Sequence, residues 1–138
     1  MQHFPDAVQL LEAVADHLTD QVLPTLQEPR LRFRTLVAAN VLAVVARELT
    51  LAPAQAPEEW RRLAALLGDE GECPPGYEEQ RAAIERMNRR LCGAIERGDF
   101  DEPAAWKQLL AHCRQTAQDK LAIANPSFLE RLAREGEK

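Results

Sequence analysis

A chain of 138 residues, 46% hydrophobic and 28% charged, has the composition of a globular domain and the length to bury a core. Its net charge of -5 argues against a nucleic-acid surface, because phosphate binders carry a basic excess. Cys73, Cys92 and Cys113 lack C-x-x-C spacing, which points to free thiols in a reducing cytoplasm and not to a disulfide framework or a zinc site.

The opening "MQHFPDAVQLLEAVADHL" lacks the basic start and unbroken apolar run of a signal peptide. No run approaches the ~20 apolar residues of a membrane span, so the expected location is cytoplasmic, with neither membrane nor nucleic acid as partner. Pro5–Asp6 begins the first predicted helix, with Asp6 as N-cap and Gln9 completing a capping box. Leu11, Val14, Leu18 and Val22 form its apolar stripe, and Pro24 and Pro29 bracket its exit.

The second predicted helix, about residues 30–51, is apolar on two sides. Phe33, Leu36, Val37 and Val44 line one face, and Leu31, Ala38, Leu42 and Val45 the other. A helix greasy on both sides is expected to be surrounded, as the buried central element of a bundle. "APAQAPEEW" is read as a break, after which Pro57, Glu58 and Glu59 start a short third helix ending at Leu67–Gly68. Residues 68–76 read as an exposed loop.

A fourth helix, about 77–97, turns Tyr77, Ile84, Leu91 and Ile95 inward and ends at Gly98. A fifth starts at Pro103 and packs through Trp106, Leu109, Leu110, Cys113 and Ala117 until Asn125–Pro126 stops it. A short last helix then runs into a tail at 133–138 expected to be mobile. No alternating strand pattern occurs. The expectation is an all-α fold, a single domain over residues 1–138 built as a compact bundle of five to six helices.

Helix phase puts Asn40 and Arg47 on an apolar stripe of the second helix, Asn88 on that of the fourth and Lys120 on that of the fifth. A buried amide without partners costs ~1–3 kcal/mol and a bare charge more, so each must find a partner. In one reading they bond neighbouring helices and fix register, Arg47 pairing with Asp16, Glu12 or Glu48 and Lys120 reaching out to water. In the other, Arg47 and Lys120 with Asn40 converge on an inter-helix pocket for an acyl or phosphorylated anion. The basic clusters Arg30, Arg32, Arg34 and Arg86, Arg89, Arg90 read as solvated faces. Trp60 and Trp106 read as core anchors and Cys113 as a small core residue.

No catalytic signature appears. His3, His17 and His112 have no metal-ligand spacing, and there is no phosphate loop, H-E-x-x-H or G-x-S-x-G. No metal, cofactor or catalytic residue is expected. An enzyme using Glu48 or His17 as base has only weak support.

The stretches "PDAVQLLEAVADHL", "LRFRTLVAANVLAVVARELTL", "LCGAIERGDFD" and "KLAIANPSF" resemble a small, all-helical bacterial family, a domain of unknown function, over roughly residues 5–128. Members of that family are often encoded beside acyl-CoA dehydrogenases and phosphotransferases of the aminoglycoside- or choline-kinase type. The resemblance implies a helical accessory protein in acyl-CoA or alcohol metabolism; a sizeable core without a legible active site adds the expectation of a noncatalytic interaction subunit for such an enzyme, or of a homo-oligomer. It brings no catalytic residues. Asn40, Arg47, Glu48, Lys120 and Asn125 fall within the resembling stretches and are the candidate ligand-binding residues.

Overall fold

The computed structural model describes residues 4–136. Among them are five α-helices and no strand, so the fold is all-α: α1 (Ala7–Asp16), α2 (Pro29–Leu67), α3 (Tyr77–Glu96), α4 (Pro103–Ala124) and α5 (Pro126–Gly136). The chain divides into two compact units, residues 1–52 and 53–138.

In the first unit the capping box forms as the sequence prescribes. The Gln9 amide donates to Asp6 Oδ1 at 2.8 Å, and the Asp6 amide donates to Gln9 Oε1 at 3.0 Å. The helix then widens into a π-helical stretch (His17–Val22) and tightens into a 3-10 turn (Leu23–Thr25) before Pro29. Arg32 closes this turn by donating to the Leu23 and Leu26 carbonyls at 2.9 and 3.0 Å. Glu28 caps α2, accepting from the Arg30 and Leu31 amides at 3.1 and 2.9 Å, and Pro29 opens the helix where no N–H is needed. Among the described residues of this unit, the buried hydrophobic ones are Ala15, Ala39 and Ala46, all small.

One expectation fails at residues 52–57. No break occurs there: α2 runs unbroken through 39 residues with Pro53 and Pro57 inside it. A proline inside a helix removes one N–H bond and costs ~3 kcal/mol. Burial offsets that cost here. Ala56, Trp60, Leu63 and Ala64 all enter the core of the second unit, each large apolar side chain contributing ~1.5–3 kcal/mol. The Gln55 side chain also donates to the Asp119 carbonyl at 3.2 Å.

The second unit holds the large core. Around Leu63, which is fully buried, lie Ala83, Ile84, Met87, Leu91 and Ala94 of α3, Phe100, and Leu109 of α4. Both α2 and α3 end on a glycine in the left-handed region, Gly68 (φ 64°) and Gly98 (φ 84°). The following amides, of Asp69 and Asp99, reach back to the Ala64 and Ala94 carbonyls at 2.9 and 3.1 Å, a Schellman closure. The loop after α2 is fastened at both ends. Asp69 pairs with Arg90 at 2.9 Å, and Gln80 donates to the Pro74 carbonyl at 2.8 Å.

Burial is distributed differently from the helical-wheel expectation. The large buried side chains of α2, Trp60 and Leu63, lie in its 56–64 segment, whereas Phe33, Leu36, Val37, Val41 and Leu49 are exposed. On α4, Trp106 and Leu110 are half-exposed and Cys113 and Ala117 exposed, while Leu109 and His112 are buried. More apolar side chains sit on α4 than one contact face can take. The face selected is the one on which Thr116 and Asp119 meet Arg62 and Gln55 of α2.

Candidate functional site

Two features stand out, one in each unit. In the second unit, a polar cluster lies in the contact of α2 with α4. The spacing 109, 112, 116, 119 puts Leu109, His112, Thr116 and Asp119 on one α4 face. Arg62 of α2 meets that face: its Nη2 donates to Asp119 Oδ2 at 3.2 Å and to Thr116 Oγ1 at 3.4 Å, both carboxylate and guanidinium being mostly sheltered. Gln115 donates to the other Asp119 oxygen at 2.9 Å.

His112, 6% exposed, lines a groove with Arg62, Ala65, Leu66, Gln108 and Gln115. Its pKa is lowered, first by desolvation and then by the positive Arg62, against a smaller upward pull from Glu59. At neutral pH both effects favour the neutral imidazole. Two buried nitrogens here, Arg62 Nε and His112 Nδ1, have no hydrogen-bond partner. The cluster can bind a hydrogen-bonding group. It lacks an activated nucleophile, and among the described residues no group of histidine, cysteine and acidic side chains could hold a metal ion.

In the first unit the notable feature is apolar. Phe33, Val37, Val41, Val45 and Leu49 recur every four residues along α2 and are 66, 44, 53, 38 and 49% exposed. By length and composition α2 could cross a membrane, although the sequence alone pointed away from a span, and only 11% of its most apolar 18-residue window is buried. Such a continuous exposed strip is what interaction surfaces present.

The residues singled out from the sequence are spread between these units. Asn40 and Glu48 are exposed on the first and Arg47 is half-buried there, engaged with a partner. Asn40 was expected to face the interior, but the buried side of α2 in this unit passes through Ala39 and Ala46 instead. Lys120, also expected inside, is exposed on the second unit, because α4 turns Asp119 and His112 inward. Asn125 joins α4 to α5 and acts as a cap, its Oδ1 accepting from the Phe128 amide at 3.2 Å and the Ser127 hydroxyl at 2.9 Å. Asn88 is half-buried.

Trp60 is the core anchor expected of it, whereas Trp106 is 50% exposed and Cys113 lies at the surface. The basic cluster on α3 is tied down as expected of a solvated face: Arg89 pairs with Glu85 and Arg90 with Asp69. Sequence reasoning missed Arg62, Asp119 and His112 because it chose the α4 face by hydrophobicity. The available signal was the 109–112–116–119 spacing, which alternates three and four.

The chain belongs to the family described as Domain of unknown function (DUF6285), whose model matches residues 24–128. No match was found among curated proteins or among solved structures.

Proposed function

We propose that this DUF6285 protein is a noncatalytic interaction subunit, and that its contact surface is the exposed apolar side of α2 between residues 33 and 49. The observation that carries this is the five-residue apolar strip left 38–66% exposed in a chain with a well-filled core elsewhere. Burying half of a Val, Leu or Phe side chain contributes ~1 kcal/mol, so five of them contribute about 5 kcal/mol per copy toward offsetting the cost of association. In keeping with the family resemblance, the assembly it belongs to would include an acyl-CoA dehydrogenase or a phosphotransferase, and the strip itself is not assigned to that enzyme. A membrane is the less favoured occupant: Arg47 and Glu48 lie within the apolar stretch, and a charged residue at the bilayer centre costs ~2.5–3.5 kcal/mol.

The test is the double variant Val37→Lys/Val41→Lys, melted at high dilution. A contact surface tolerates it within ~1 kcal/mol, as surface substitutions do. A loss of several kcal/mol would mean that these valines belong to the chain's own core, and the proposal would fail.

A second reading is favoured by the unpartnered Arg62 Nε and His112 Nδ1. In it the groove between α2 and α4 takes an acyl or phosphorylated anion. A ligand at one hundred times its Kd would stabilise the protein by ~2.7 kcal/mol, readable as a thermal shift against acyl-CoAs and small phosphates. An unshifted melt across both sets rejects this reading.

A further inference from the structure

The apolar strip has an internal symmetry that selects its partner. On the exposed side of α2, Arg34, Val37, Val41, Val45 and Glu48 lie within a narrow angular sector, at successive spacings of three, four, four and three residues. This series is symmetric about Val41. Val37 mirrors Val45, and basic Arg34 mirrors acidic Glu48. All five side chains are exposed, and neither Arg34 nor Glu48 has an ion-pair partner among the described residues.

We infer that the partner of this surface is a second copy of the same chain, its α2 running antiparallel across a two-fold axis at Val41. This rests on the contact-surface reading above and names its occupant. In that arrangement Val41 meets the partner's Val41, and Val37 meets the partner's Val45. At both ends, about 10 Å from the axis by the helical rise, Arg34 lies level with the partner's Glu48. A two-fold contact uses every pair twice, so the interface holds two such charge pairs around a valine centre. A parallel pairing would set Arg34 against Arg34 and Glu48 against Glu48, with like charges repelling. The charges therefore choose the direction and the valines supply the attraction, a division also found in coiled coils. A lipid surface has no use for this symmetry.

The decisive experiment is sedimentation of the full chain over about 1 to 200 µM, a range that brackets micromolar affinity, with single and double charge reversals. The wild type is expected to reach a dimer of about 31 kDa, twice the 15.5 kDa chain. Arg34→Glu alone and Glu48→Arg alone each place like charges together and weaken the dimer about tenfold or more. The double reversal Arg34→Glu/Glu48→Arg restores it, because each copy again offers one acid and one base. Val41→Lys abolishes it, while the circular dichroism spectrum of every variant stays helical.

A dimer indifferent to these charges, or a double reversal that fails to restore it, overturns the antiparallel pairing but leaves the contact surface standing. A monomer throughout the range overturns the second-copy assignment, while the contact-surface reading is judged separately by the dilute melt of the Lys variant. Flotation with phosphatidylcholine or phosphatidylglycerol vesicles that depends on Val41, without a dimer, overturns both.

Discussion

Arg62 and Asp119 are two charges held by different helices in a mostly sheltered contact, and their coupling can be measured. Replacing Asp119 with Asn keeps the shape and one acceptor but leaves the guanidinium facing a neutral group. Two charges ~4 Å apart attract by about 4 kcal/mol at an effective dielectric of 20. Loss of hydration offsets much of this. Fully exposed pairs are worth ~0.2–1 kcal/mol, while breaking a buried pair costs ~3–5 kcal/mol. With 26 and 19% of the two side chains exposed, this pair lies between those limits. Asp119→Asn is expected to cost about 1–2 kcal/mol in urea unfolding. A cycle with Arg62→Met, which keeps the aliphatic stem, should return a coupling of about 1 kcal/mol. A coupling below about 0.3 kcal/mol would refute the reasoning, for it would mean that water screens the pair and that Arg62 is open to an anion.

Leu63→Ala, at a fully buried site, should destabilise by about 3–4 kcal/mol in the same assay, against little or no cost for removing the exposed Val41 methyls. Gly98→Ala should cost about 1–2 kcal/mol, because φ of 84° is strained for any side chain and the new Cβ would also crowd Asp101, whereas Gly93→Ala, at ordinary helical φ, should stabilise α3 or leave it unchanged. His112 gives a pH signature. Its folded pKa lies below the ordinary 6.5, so as pH drops below 6.5 the unfolded chain takes up the proton first and the fold loses stability; the contribution is complete above 6.5. Urea titrations from pH 7.5 to about 5 should show that slope in the wild type and a flatter one in His112→Gln; equal slopes would show that the imidazole is not held neutral. Amide exchange should be faster in α1, in whose unit the fully buried hydrophobics among the described residues are alanines, than in the 83–94 segment of α3, and the reverse order would mean that the first unit is the more stable.

Local chemistry was legible without coordinates. Asp6 with Gln9, Gly68 and Gly98 as helix ends, Pro103 at a helix start and Asn125 as a stop all act within a few residues of themselves, and each does what its type prescribes. The all-helical class followed from periodicity in the same way.

Tertiary packing decided the rest. Two prolines forecast a break at residues 53–57, and the helix continues because Trp60 and Leu63 gain more from the core than the missing N–H bonds lose. Hydrophobicity marked α2 around residues 33–49 as interior, yet the core formed further along the same helix. A single sequence states which side chains are apolar, not which of them find cover. On α4 the choice of face went to His112, Thr116 and Asp119, because Arg62 stood opposite, and that pairing joins residues 57 positions apart. Burial and charge pairing across such distances are properties of the assembled chain, so composition and period could set the helices but not which of their faces stayed wet.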